Sequence, residues 1–279
     1  MTSVKAVEIQ KVGKDSFEST PDLIVTEEPL EIRLGYGSES QRKQMTLSVT
    51  MRTPGSDEEL CLGFLYGEDI INSIQDVLSV KYCDELGTKE NHENVMRVEL
   101  SSHVNIDPKQ FSRNFYTTSS CGVCGKAAIE AIHVHCSPLL NDKINIDQNL
   151  FYELPGKLRK AQEVFKYTGG LHASAAFDLQ GKLIAHREDV GRHNALDKLI
   201  GHFFKSDMPQ LNSSILLLSG RISFELVQKA IRAGIPIIAA MGAPSSLAVA
   251  LAKDFKVTLI GFLKESKFNI YTGKDRVLR

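Results

Sequence analysis

Downstream of residue 171, short apolar runs alternate with helix-forming stretches, and this alternation constrains the fold more than any other feature. Residues 171–177 and 182–186 read as strands joined by the turn Asp178-Leu179-Gln180-Gly181. Arg192–Phe204 is helical, with Ala195, Leu196, Leu199, Ile200 and Phe203 on one stripe. Then come a strand at Ser214–Leu218, a helix over 223–233 closed by Gly234, and a strand over 235–240. A helix over 244–255, with Pro244 near its first turn, precedes a strand over 257–262. Such alternation predicts an α/β layer with a largely parallel sheet.

The chain upstream reads differently. Residues 1–20 are polar, so the N-terminal segment to about residue 25 is expected to be flexible. Strand-like runs at 30–34 and 46–51 flank a polar loop, and Thr53-Pro54-Gly55 is a turn. Ser56 stands three residues before Glu59, the signature of a capping box opening a helix through 59–65. Leu60, Phe64 and Leu65 recur there at helical spacing, and Cys61 shares their face. Val77–Tyr82 and Val95–Leu100 read as strands, completing a small α+β domain over 26–113. Residues 114–130 hold a polar, glycine-containing loop and the start of a helix, and 131–279 form the larger domain. A further helix is expected within 149–165, with Pro155 interrupting it or sitting in its first turn.

Charge and cysteine usage exclude some functions. The chain has 279 residues with Lys+Arg 33 against Asp+Glu 34, a net charge of −1. No global field draws in nucleic acid or an acidic membrane. No apolar run approaches the roughly 18 residues of a membrane span, and the N-terminal stretch lacks the apolar core of a secretory signal. A cytoplasmic protein is expected. Five cysteines make an odd count for a disulfide framework, and reducing surroundings leave thiols buried, metal-bound or reactive.

Ser119-Ser120-Cys121-Gly122-Val123-Cys124-Gly125 is the sharpest local signal. The Cys-x-x-Cys spacing brings two sulfurs within reach of each other, and the glycines permit a tight turn. A helix starting near Lys126 would aim free N–H groups at the loop, and with the lysine charge would favour thiolate over thiol. Three readings stay open: half of a structural zinc site completed by His133, His135 or Cys136, a dithiol/disulfide couple, and a thiolate carrying sulfur as a persulfide. Cys61, Cys83 and Cys136 have no motif partner and are expected only to pack.

Several loops of the α/β part suit an anion. In open α/β sheets ligands bind beyond the carboxyl ends of strands, and helix N-termini offer free N–H groups to phosphate. Tyr167-Thr168-Gly169-Gly170-Leu171-His172, His186-Arg187-Glu188-Asp189-Val190-Gly191-Arg192-His193-Asn194, Ser219-Gly220-Arg221 and Met241-Gly242-Ala243-Pro244 are such loops. Arg187, Arg192 and Arg221 add forked donors suited to phosphate oxygens. Arg187 with Asp189 reads equally as a structural pair, and His172 equally as a core histidine. Neither a P-loop nor a dinucleotide fingerprint is present. Zinc deaminase chemistry is not expected, because Ser174 stands where His-x-Glu needs its shuttle and the Cys-x-x-Cys precedes His172.

Taken in order, Arg52-Thr53-Pro54-Gly55, Glu58-Glu59-Leu60, Gly63-Phe64-Leu65, the Ser-Ser-Cys-Gly-Val-Cys-Gly loop, Thr168-Gly169-Gly170 with His172, Arg187–Asn194 and Ser219-Gly220-Arg221 form a recognisable set. Over residues 29–271 the chain resembles the FdhD family of sulfur carrier proteins, the formate dehydrogenase accessory sulfurtransferases. The resemblance implies a cytidine deaminase-like α/β domain beside the smaller α+β domain, in a cytoplasmic homodimer. It implies a sulfurtransferase that takes persulfide sulfur from a cysteine desulfurase onto Cys121, with Cys124 as second cysteine. The sulfur passes to the bis-molybdopterin guanine dinucleotide molybdenum cofactor, activating formate dehydrogenase. The implied cofactor-binding stretch matches Phe262, Leu263, Lys264, Glu265, Ser266 and Lys267, where many relatives carry arginine in place of Lys264. His172, Arg187, Asp189, Gly191, Arg192, His193, Asn194, Ser219, Gly220 and Arg221 would seat guanine and phosphates, for which a guanine nucleotide is a mimic. The alternative is a non-catalytic, cofactor-binding chaperone whose Cys-x-x-Cys is a structural zinc or redox element.

Overall fold

The computed structural model describes residues 2–83, 92–107, 144–206 and 211–279. Its N-terminal stretch corrects the expectation of a flexible segment: β1 (Val4–Val12) pairs antiparallel with β2 (Phe17–Val25), from Val4↔Val25 to Val12↔Phe17. Both strands are exposed over most of their length, so no apolar stripe marks them in the sequence. The half-buried positions are β-branched, Val4, Val7, Ile9, Thr20 and Val25, as a pleated surface prefers.

The α+β unit follows. Strands β3 (Glu28–Tyr36), β4 (Lys43–Arg52), β5 (Val77–Tyr82) and β6 (Val95–Leu100) form a sheet of order β4-β3-β6-β5. Helix α1 (Asp57–Gly67) covers it, burying Leu60, Cys61, Leu62 and Leu65 among Leu30, Ile32, Leu34, Met96, Val98 and Leu100. The expected capping box is absent. Ser56 is left-handed at φ 55° and its side chain makes no cap bond. Asp57, Glu58 and Glu59 crowd the first turn instead, where the helix dipole favours negative charge.

After β7 (Ile146–Asp147), helix α2 runs over Gln148–Ala161, and its N-cap Asp147 accepts the Asn149 N–H at 2.8 Å. Pro155 lies inside this helix and neither interrupts it nor sits in its first turn. Phe151, Leu154, Pro155 and Leu158 are all buried, and that packing offsets the lost backbone bond. Helix α3 (Glu163–Thr168) ends at Gly169, left-handed at φ 65°.

The main sheet has the order β13-β12-β11-β10-β8-β9, built from β8 (His172–Asp178), β9 (Leu183–Asp189), β10 (Ser214–Leu218), β11 (Ile237–Ala240), β12 (Thr258–Lys264) and β13 (Lys267–Thr272). Only β10, β11 and β12 run parallel, so the sheet is mixed rather than largely parallel. The cause is the length of the connections. Short turns after β8 and β12 force antiparallel neighbours, whereas helices α5 (Phe224–Arg232) and α6 (Ser246–Asp254) give parallel crossovers. A short β14 (Val277–Leu278) returns beside β7.

Helix α4 (Arg192–Phe204) joins the two units. Leu196, Leu199, Ile200 and Phe203 face the α/β core, while Phe204 belongs to the α+β core. It crosses α1 at glycine: a Cβ added at Gly63 would overlap the Asp197 carbonyl oxygen, and one at Gly201 would overlap that of Glu59. Among the described residues no helix is long and apolar enough to cross a membrane.

Candidate functional site

The loops at the carboxyl ends of the parallel strands converge. Ser219, following β10, accepts the Ala173 N–H on its Oγ at 2.8 Å and donates its own N–H to the Ala173 carbonyl at 3.0 Å. Gly220 passes so close to His172 that a Cβ there would lie 3.1 Å from Nδ1. Gly242, following β11, donates to the Gly220 carbonyl at 3.2 Å and accepts the Phe262 N–H at 3.0 Å. Beside them opens a cleft of about 330 Å³, lined on this side by Gly169, Gly170, Leu171, His172, Ser219 and Met241. Burial and the nearby Arg192 charge hold the His172 pKa below the ordinary histidine value, so its imidazole is neutral at neutral pH.

The Arg187–Asn194 motif divides into two sets. Arg187, expected at phosphate, instead donates to Glu59 through Nε at 2.5 Å and Nη2 at 2.7 Å. Its Nη2 also lies 2.8 Å from His202 Nδ1. Asp189 is fully buried and accepts from Thr53 N at 3.1 Å, Gly191 N at 2.8 Å and Asn194 Nδ2 at 3.1 Å, with Lys198 Nζ at 2.7 Å. Asn194 also donates to the Met51 carbonyl at 2.8 Å, and Lys198 to the Thr53 carbonyl at 2.8 Å. These side chains clamp Arg52-Thr53-Pro54-Gly55 of the α+β unit onto α4.

The other members face the loop cluster. Arg192 reaches Gly220, its Cδ 3.9 Å from a Cβ placed there, and its buried Nε has no hydrogen-bond partner among the described residues. His193 Nε2 lies 3.1 Å from Ser223 Oγ and 3.0 Å from Glu225 Oε2. Arg221 is exposed. Phe262 is left-handed at φ 53° and 44% exposed, an uncommon backbone for a bulky residue. The Leu263 side chain is buried, in the core cluster that also holds Ile260 and Phe177. Lys264, Glu265, Ser266 and Lys267 are exposed around the β12–β13 turn.

The clamp has a pH signature. Burial pushes the Glu59 carboxyl up, but Arg187 and His202 outweigh it and hold its pKa below the usual range. A depressed folded pKa adds stability above the unfolded value, about 4.3, and that stability vanishes as pH falls through the lower folded value. Glu59→Gln is therefore expected to lower the thermal midpoint at pH 7, with the gap from wild type closing below about pH 4. A gap that stays constant across a pH series of melts would refute the ion-pair account.

Cys121, Cys124, Cys136 and the expected helix after Lys126 lie outside the described residues. Cys61 and Cys83 are buried, as expected. Burial, with the Asp57 and Glu58 charges, pushes the Cys61 thiol far above its ordinary pKa, so it is no nucleophile.

The FdhD/NarQ family model matches residues 25–278. The chain belongs to that family. A protein of Mycolicibacterium paratuberculosis named sulfur carrier protein FdhD is 48% identical over 260 residues, 92% of each chain. A Sulfurisphaera tokodaii protein of the same name is 42% identical over 99% of each chain. A crystal structure of a Desulfotalea psychrophila protein, assigned to the formate dehydrogenase accessory proteins, superposes with a TM-score of 0.76 at 22% identity, covering 99% of this chain and 100% of that one. The FdhD/NarQ match begins where the β1–β2 hairpin ends. That hairpin touches the FdhD/NarQ core near the cleft, because a Cβ on Gly170 would lie 3.0 Å from Val25 Cγ2.

Sequence reasoning missed the far wall of the cleft in this FdhD/NarQ chain. Arg159, Gln162 and Phe165 line it, together with Val190. They flank the break between α2 and α3 at Gln162, which no glycine or proline announces. The remaining signal, Arg159 and Lys160 in the last turn of α2, reads first as helix-dipole compensation.

Proposed function

We propose that this chain is a sulfur carrier that moves sulfur as a persulfide on Cys121. The supporting observation is identity of 42–48% along 92% or more of the chain to proteins named sulfur carrier protein FdhD. The Ser119–Gly125 loop supplies the nucleophile. The Cys121 thiolate attacks the terminal sulfur of a cysteine desulfurase persulfide, forming Cys121–S–SH and releasing the desulfurase thiolate. Attack by the Cys124 thiolate on Cys121 Sγ then forms a Cys121–Cys124 disulfide and expels the terminal sulfur as sulfide. The cysteine pair thus supplies the two electrons that reduce sulfane sulfur to sulfide.

The acceptor in this reading is the bis-molybdopterin guanine dinucleotide molybdenum cofactor, bound as substrate on its way to formate dehydrogenase. The cleft beside His172 suits one nucleotide-sized part of it, since about 330 Å³ lies at the low end of small-molecule pockets. Arg192, with its unpartnered buried Nε, and the Gly220 backbone offer donors near it, and the exposed Phe262 ring offers a stacking surface. The cytoplasm, a homodimer and a cytidine deaminase-like ancestry for the main sheet complete the reading. Ser174 in the shuttle position keeps deaminase chemistry out of it.

Mass spectrometry after incubation with a cysteine desulfurase and cysteine tests the carrier step. In Cys124→Ala, where no second thiol can expel the sulfur, the peptide containing Cys121 is expected to gain one sulfur atom, and Cys121→Ala to abolish the gain. Absence of the adduct in Cys124→Ala sinks the proposal. A folded Cys121→Ala protein that still activates formate dehydrogenase would establish the chaperone reading instead. Stoichiometric zinc lost on Cys121→Ala and Cys124→Ala would assign the pair to a metal.

A further inference from the structure

We propose that Arg159, held by the Phe165 ring, is the phosphate-recognising residue of the cleft beside His172. This rests on the reading that the cleft receives a nucleotide-bearing substrate, and it adds the group that the far wall selects. Arg159 lies in the last turn of α2, exposed, and makes no ion pair with the described residues. Arg33, Arg42, Arg97, Arg187 and Arg232 all spend their guanidinium groups on carboxylates. The Arg159 guanidinium carbon instead sits 5.6 Å from the Phe165 ring centroid, a geometry that orients a cation without neutralising it.

Phe165 is itself fixed. Its N–H donates to Glu188 Oε1 at 3.0 Å and the Val164 N–H to Oε2 at 3.3 Å, so one carboxylate anchors the first turn of α3. The lining of the cleft then decides the sign of its ligand. Among the described residues that line the cleft, Arg159 is the charged member at neutral pH and none is a carboxylate. His172 is neutral there, and the Gly169 and Gly170 N–H groups are spent within the turn, on the Phe165 carbonyl and on Thr168 Oγ1. A fork-shaped cation matches phosphoryl oxygens in pairs. The volume admits a single phosphorylated moiety, such as one nucleoside diphosphate, rather than an extended polyanion.

Lys160 makes a sharp control, since it is exposed, adjacent and of the same charge but does not line the cleft. Isothermal titration of the full chain with GDP, inorganic diphosphate and guanosine separates phosphate from base recognition. Arg159→Gln is expected to weaken GDP and inorganic diphosphate about tenfold or more, and to leave guanosine unchanged. Phe165→Leu is expected to weaken the two phosphates to a smaller degree, and Arg159→Lys to recover part of the loss, because charge returns without the planar fork. Thermal melts confirm that each variant is folded. The proposal is overturned if Arg159→Gln binds GDP like wild type, if guanosine weakens equally, if Lys160→Gln costs as much, or if wild type takes neither phosphate. A missing Cys121 adduct would remove the sulfur-carrier role while leaving an Arg159-dependent phosphate site standing.

Discussion

Gly63→Ala is expected to destabilise the protein by about 3 kcal/mol, at the upper end of the usual cost of overpacking. The added methyl group would overlap the Asp197 carbonyl oxygen and lie 2.9 Å from the Gly201 nitrogen. Both neighbours are backbone, so no rotamer change can make room, and α1 must lift off α4. In an isolated helix the same change would be favourable by up to about 1 kcal/mol, so the measured loss understates the clash. Gly201→Ala is expected to behave alike, because its methyl group would overlap the Glu59 carbonyl. The double variant is expected to cost less than the sum, since one lifted contact relieves the other. Urea unfolding reads all three. An unchanged midpoint for both single variants would mean that α1 and α4 do not cross at glycine. Lifting α1 would also reach the cleft, because α4 carries Arg192 and His193 at its N-terminal end.

Asp189→Asn is expected to cost about 3–5 kcal/mol, the typical penalty for breaking a buried ion pair from one side. Asp189 is fully buried, and Lys198 is 2% exposed. The carboxylate takes donors on both oxygens: Thr53 N and Lys198 Nζ on Oδ2, Gly191 N and Asn194 Nδ2 on Oδ1. An amide in its place turns N–H groups toward donors whichever way it flips, and it leaves the Lys198 charge without a counter-charge. Adding Lys198→Met removes that stranded charge, and the pair of changes is expected to recover a large part of the loss. Chemical denaturation of the two variants decides the matter. A loss below about 1 kcal/mol for Asp189→Asn, or no recovery in the double variant, would show that the clamp is not electrostatic.

These two contacts mark where local pattern stops informing the fold. Apolar period and turn chemistry are properties of neighbouring residues, and they placed Arg192–Phe204, Ser214–Leu218, Val77–Tyr82 and the Asp178–Gly181 turn where the structure has them. They also marked the loops after β10 and β11 as an anion-suited cluster, because glycine beside a helix start is legible without coordinates. The N-terminal hairpin escaped because cross-strand bonding needs no apolar stripe. The direction of β8 against β10 escaped because a strand pattern is the same read either way, and β13 was not expected as a strand at all.

The division of the Arg187–Asn194 motif had no sequence signal. A loop has no period to tell an inward side chain from an outward one. Arg187 and Asp189 became structural only because α1 brought Glu59, and the α+β unit brought Thr53, against them. Arg159 reached the cleft through a helix break at Gln162 and a ring three residues beyond it. The Cys121–Cys124 reading is the reverse case. Its chemistry is carried by residue types and spacing within seven positions, so the chain alone suffices to propose it. Which cations remain available to a ligand was settled by long-range packing, since a charge is free only where the fold brings no carboxylate to it.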